Sequence, residues 1–197
     1  MDSRCWIFLL IILLSGCIGG TSPRTHFYSL SADETRPLIS LKDSISVGLG
    51  PIHLPDLLER PQIVSKISEN KLEIGDFDRW GEQLKKNLLS VMKQNLMNFL
   101  NTQKVFIVPL QRFRQVDFKV VIEVLELNGQ LGQQVTLDAH WTILDNSEKK
   151  ELYSNRFKKT QEITKSGYEA YVAGHSHLIS LLSEQIADQL LEIKKKK

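Results

Sequence analysis

Phe118-Lys119-Val120-Val121-Ile122-Glu123-Val124 and Val135-Thr136-Leu137-Asp138-Ala139-His140-Trp141-Thr142-Ile143 decide how this chain folds. In the first stretch Phe118, Val120, Ile122 and Val124 share one face; in the second Val135, Leu137, Ala139, Trp141 and Ile143 do. Strand side chains alternate between faces, so this period predicts two half-buried strands. Asn128-Gly129, with Gly132 behind it, supplies the turn between them. Asp145-Asn146-Ser147 reads as the next turn, and Glu151 to Lys159 as a third strand, more polar and so nearer an edge.

On the N-terminal side, Ile45, Val47 and Leu49 alternate within a strand that Gly50-Pro51 ends or bends. Gln62–Ile67 and Lys71–Ile74 are strand candidates joined by a tight turn at Glu69-Asn70. Val105 to Val108 is a short apolar strand stopped by Pro109. The folded part begins near Phe27-Tyr28-Ser29-Leu30.

Two segments carry a helical period instead. Trp80, Leu84, Leu88, Val91, Met92, Leu96 and Phe99 recur at three- and four-residue steps, which predicts a helix from a cap at Asp78 to about Asn101. Tyr168, Tyr171, Val172, His175, Leu178, Ile179, Leu182, Ile186, Leu190 and Ile193 form one longer stripe. Ser166 and Glu169 have the spacing of a capping box at its start. The expected fold is a two-layer α/β arrangement, a mixed but largely antiparallel sheet with both amphipathic helices packed on it.

The first residues predict a targeting segment. Arg4 precedes the apolar run Trp6–Leu14, then Ser15, Gly16 and Cys17 follow. A charged start, an apolar stretch and small residues make a secretory signal peptide, and this run is too short to span a bilayer. Leu14-Ser15-Gly16-Cys17 is similar to a bacterial lipobox, in which the Cys thiol takes a diacylglycerol. Residues 1–16 are therefore expected to be a lipoprotein signal peptide, 17–26 a lipidated flexible tether and 27–197 a single domain. Cleavage before Cys17 would leave no second cysteine, so the fold must be held by its core. Ile18, where Asp would signal retention in the inner membrane, points to the outer membrane.

Composition narrows the function classes. Lys and Arg total 25 and Asp and Glu 23, so no strong field for nucleic acid is expected. No Gly-rich phosphate loop, nucleophile elbow or zinc spacing is present. His175 and His177 stand two apart on a helix and point in nearly opposite directions, so they cannot share a metal. His175 falls on the apolar stripe as a core-edge histidine, and His140 faces away from Trp141. Neither catalytic residues nor a metal or other cofactor are expected.

The stretch from Gly50 to Val64 stands out. Pro51, Pro55 and Pro61 stiffen it, Leu54, Leu57 and Leu58 make it apolar, and Arg60 offers a planar fork of donors. Leu54, Pro55, Leu57, Leu58, Arg60 and Pro61 are thus candidates for a protein-docking surface. The plainer alternative has the leucines capping the core and Arg60 paired with Glu59 or Asp78.

The run Leu54-Pro55-Asp56-Leu57-Leu58-Glu59-Arg60-Pro61-Gln62-Ile63-Val64, after Val47-Gly48-Leu49-Gly50-Pro51-Ile52, resembles the ABC-type transport auxiliary lipoprotein family (PqiC-like, MCE-associated). Tyr28-Ser29-Leu30, Asp78–Leu84, Val135–Trp141 and Tyr168–Ser176 match its pattern in order. Leu57 stands where an aromatic is common, Glu59 where Asp is, Gly81 where Ala is and Gln83 where Pro is.

The resemblance implies an auxiliary or docking component of an MCE-type ABC system for intermembrane lipid transport, lipid-anchored on the periplasmic face of the outer membrane. The implied partner is an MCE-domain (PqiB-like) protein, and members can assemble as homo-oligomeric rings. Cys17 is carried over as the lipidation site. The rival expectation is a periplasmic carrier lipoprotein that shields acyl chains in its own cavity.

Overall fold

The computed structural model describes residues 23–33, 45–109, 116–145 and 150–196. Among these, the elements run β1 (His26–Tyr28), β2 (Val47–His53), β3 (Gln62–Ser68), β4 (Lys71–Trp80), α1 (Leu84–Phe99), β5 (Val105–Ile107), β6 (Phe118–Gln130), β7 (Gln134–Asp145), β8 (Glu151–Glu162) and α2 (Tyr168–Lys196). The expected signal peptide, Cys17 and most of the expected tether lie outside the described residues.

β6 is the hub of one mixed, eight-stranded sheet. Along one side it pairs antiparallel with β7, which pairs antiparallel with the edge strand β8. Along the other side its first half runs parallel to β2, and its last residue, Gln130, meets Lys66 of β3. β2 carries β5 beyond it, while β3 carries β4 and then β1. The sheet therefore forks at β6. The three strands from Phe118 onward are antiparallel, as their hairpin signals require, and the parallel pairs gather around β2 and β1.

Both helices cover one face of the sheet and touch each other. The alternating residues of β6 and β7 point under them. Phe118, Val120, Ile122, Val135, Ala139 and Ile143 are at most 1% exposed, in one cluster with Leu88, Met92, Leu96, Ile179, Leu182 and Ile186. Gly174 lets α2 settle close to the sheet. A Cβ there would lie 2.8 Å from a Val135 methyl and 3.0 Å from one of Ile163.

The structure revises two local expectations and decides between the two readings of a third. Asp78-Arg79-Trp80 does not begin the first helix but ends β4, where Trp80 N–H donates to the Pro61 carbonyl at 2.8 Å. Trp80 still reaches the core, at 7% exposure, from a strand rather than from a helix stripe. The helix starts at Leu84 behind an extended Gln83 without a side-chain cap. Pairing with strands on both sides outweighs an apolar step that also suits a helix. In α2 the residue before the helix is Gly167, at φ +99°, rather than Ser166. Of the two readings of Gly50-Pro51 the bend holds: β2 runs through it from Val47 to His53, with a register shift between Leu49 and Ile52.

Candidate functional site

The Gly50–Val64 stretch forms the link between β2 and β3. Pro55 is extended, then Asp56–Leu58 makes one turn of 3₁₀-helix. The turn is closed by Leu58 N–H to the Pro55 carbonyl at 2.8 Å and Glu59 N–H to the Asp56 carbonyl at 3.1 Å. The bond from Trp80 to Pro61 fixes the far end. Proline stiffness and these three hydrogen bonds hold the link in one shape.

The six candidate residues divide by role. Leu58 is buried in the core, and half-buried Leu54 packs against it. Leu57 is 37% exposed, Pro61 is exposed and Pro55 is half-buried. Half of the plainer alternative therefore holds, because two leucines do cap the core. The other half fails: Arg60 pairs with neither Glu59 nor Asp78, and Asp78 is occupied elsewhere, accepting from Tyr28 Oη at 2.8 Å with His26 Nδ1 at 3.3 Å. Among the described residues Arg60 Nε is buried with no hydrogen-bond acceptor. Burial, with the Asp78 carboxylate next in importance, pushes the Tyr28 phenol up to about 12.

Two features have only faint sequence signals. The first is a strap. Residues 30–33 run along both helices, held by polar side chains on their buried faces. Leu30 N–H donates to Asn87 Oδ1 at 2.7 Å, Ser31 N–H to Ser176 Oγ at 3.1 Å and Asp33 N–H to Asn95 Oδ1 at 2.8 Å. Ser180 Oγ donates to the Asp33 carboxylate at 3.0 Å and Asn98 Nδ2 to the Asp33 carbonyl at 3.1 Å. The signal was Asn and Ser spaced by one or two helical turns beside the apolar stripes, namely Asn87 and Asn95 eight residues apart and Ser176 and Ser180 four apart. Two surface clefts of about 430 Å³ and 260 Å³ flank the strap, open and partly serine-lined. They give no support to the carrier expectation, which needs an enclosed apolar cavity.

The second feature is the outer face of the β1–β4–β3 end. Phe27 is 67% exposed, and Leu72, Ile74 and Phe77 on β4 are each more than 40% exposed.

His175 belongs to the core rather than its edge. It is fully buried with both ring nitrogens unpartnered, edge-on to Tyr171 at 4.6 Å between centroids. Loss of solvation pulls it down to about 3, so the ring is neutral at physiological pH. His140 is exposed on the opposite side of the sheet, as the alternation of β7 requires. Among the described residues no three metal-ligating side chains converge, and no helix is long and apolar enough to cross a membrane.

A family model, the ABC-type transport auxiliary lipoprotein component, matches residues 28–187. The chain belongs to the ABC-type transport auxiliary lipoprotein family. Membership implies a transporter partner and a membrane-anchored place in the cell envelope. The Leu54–Val64 run that carries the resemblance thus forms the β2–β3 link and the start of β3. The fold is shared with solved structures of low identity. A protein whose structure is described only as uncharacterized is 17% identical at TM-score 0.69, over 85% of this chain and 99% of that one. A Xanthomonas campestris protein of family DUF330 is 13% identical at TM-score 0.66, over 87% and 98%. The dodecamer of a PelC variant from Paraburkholderia phytofirmans, at 12% identity and TM-score 0.43 over 76% and 91%, is too distant to bear on the fold. No curated protein sequence matches this chain.

Proposed function

We propose that this auxiliary lipoprotein is the docking component of an MCE-type ABC system that moves lipids between membranes, held by acyl chains on Cys17 at the periplasmic face of the outer membrane. Residues 1–16 are then its signal peptide, 17–26 its tether and 27–197 its single domain. The MCE-domain protein docks on the β2–β3 link through Leu57, Arg60 and Pro61. Leu54, Pro55 and Leu58 hold that surface rigid from beneath. Assembly of several copies into a ring belongs to the same reading.

The observation that supports it is Arg60, a guanidinium with no carboxylate among the described residues, beside the exposed Leu57 in a stiffened link. A cation left unpaired in a fixed loop is a ready partner for an acidic or carbonyl-rich surface. Pre-set geometry lowers the ordering cost of docking. Single-chain acylation binds membranes only marginally, so several chains on Cys17 are needed for lasting anchorage.

The test is co-purification of the acylated protein with the MCE-domain protein. Arg60→Glu is expected to abolish it while far-ultraviolet dichroism and thermal midpoint stay unchanged. Full retention of the partner by a folded Arg60→Glu protein would remove the link from the docking surface. Cys17→Ser is expected to leave membranes in a carbonate wash.

A further inference from the structure

We infer that the outer face of the β1–β4–β3 end, centred on Phe27, Phe77 and Arg79, rests on the headgroup layer of the bilayer that carries the Cys17 acyl chains. The inference depends on the lipidation proposed above and adds a second, reversible contact to it.

Strand register assigns the face at Phe27 and Arg79; Phe77, 41% exposed, precedes Arg79 by two residues on β4, within the stretch where the β3–β4 register shifts. Phe27 stands opposite Arg79 in the parallel β1–β4 pair, and Arg79 opposite Gln62 of β3. Their chain neighbours Tyr28 and Trp80 pack into the helix-covered core, so Phe27 and Arg79 point outward. Further along β4, Ile74 lies opposite Val64 and Leu72 opposite Lys66. Lys66 reaches Glu126 on the outer side of β6 at 2.7 Å, where Leu125 is 41% exposed at a bulge. Apolar side chains thus crowd one outer region of adjoining strands instead of lying scattered, which marks a contact surface. Arg79 stands among them with its Nε out of solvent and no acceptor among the described residues. Aromatic rings beside an unpaired guanidinium match the boundary between acyl chains and phosphates.

The tether names the occupant. Eight residues separate Cys17 from His26, where β1 begins at the sheet edge. Fully extended, they reach about 30 Å, and as a flexible coil they average about 17 Å. The outward Phe27 is one residue beyond that point, so this face is delivered to the bilayer before any other. A tether this short sets an effective concentration in the millimolar range, at which a weak contact is filled.

The test uses the full-length acylated protein in vesicles of phosphatidylethanolamine with phosphatidylglycerol as the minor lipid. An introduced cysteine is then the sole free thiol. A bimane label at Phe77→Cys, or at Ile74→Cys should the first variant misfold, is compared with one at His177→Cys on the exposed side of α2. Brominated lipids are expected to quench the β4 label about threefold more than the His177 label. Equal quenching of the two in protein that floats with the vesicles overturns this inference and leaves the anchor standing. Protein that fails to float condemns the lipidation reading instead. Shielding of the β4 label that appears only when envelope proteins are added also overturns the inference, because the face would then dock protein.

Discussion

The outer face of the sheet is finished at one end and unfinished at the other. On β7 and β8 several of the side chains facing water pair across the strands. Thr136 meets Thr160 at 2.9 Å, Thr142 meets Ser154 at 3.1 Å, and Asp138 takes Arg156 at 2.6 and 2.8 Å with Lys158 at 3.4 Å. On β1 and β4 the corresponding positions hold Phe27, Leu72 and Ile74, with Arg79 beside them. Both ends back onto the same core, so core formation cannot account for the difference. A β7–β8 surface of cross-strand pairs is stable against water by itself, whereas the β1–β4 surface gains stability only when something covers it.

Substitutions separate the two ends, and the largest effect belongs beneath the finished one. Trp141 is 1% exposed and lies 5.3 Å from the Tyr153 ring. Trp141→Ala is expected to cost about 3–5 kcal/mol in urea unfolding. A cost below about 1 kcal/mol would mean that this end is not held by packing.

Next comes an acid sensitivity on the other side. His175 packs on Tyr171, whose hydroxyl donates to the Val64 carbonyl of β3 at 3.0 Å. The folded ring is held down to about 3 against an ordinary 6.5, so below pH 6.5 the unfolded chain takes up a proton that the fold refuses. Stability therefore falls as pH drops from 6.5 toward 3, by about 3 kcal/mol at pH 4.5. His175→Leu should flatten that part of the stability–pH curve; an unchanged slope would place the sensitivity in another group.

A smaller effect tests the Asp138 cluster. Hydrogen bonding from Arg156 holds the carboxyl below its ordinary 3.8, against an opposing desolvation. Its stabilisation is complete above that value and is lost as pH falls through the depressed one. Arg156 and Lys158 are half-exposed and screened by water. Asp138→Asn is thus expected to cost about 1 kcal/mol near neutrality, read by thermal unfolding.

The smallest effect sharpens the comparison most. The double variant Phe27→Ser, Phe77→Ser is expected to shift unfolding by no more than about 0.5 kcal/mol, since neither ring supports the core. A loss of several kcal/mol would show that this end is finished from within.

What could be read from residues alone follows the same division. β6, β7 and α2 were legible because a single period runs unbroken through each and one face is buried throughout. The β4 strand was legible only to Ile74. Beyond it a bulge shifts the register, and Trp80 satisfies a helical step and a strand position equally well. The β2–β3 link announced itself through its prolines, but which leucines serve the core depends on the 3₁₀ turn, which no periodicity encodes. The strap was the least legible part. Its contacts join residues 57 to 147 positions apart in the chain, and buried Asn and Ser carry no pattern beyond their place beside an apolar stripe.

That strap has a mechanical consequence for a protein pulled by its N-terminus. Tension arriving from the proposed tether would first load the three-residue β1, then the peptide hydrogen bonds of Leu30, Ser31 and Asp33 to α1 and α2. These two fasteners act in series ahead of the hydrophobic core. The domain can then peel at its leading segment and re-seat while the seven strands behind β1 and the β2–β3 link keep their shape.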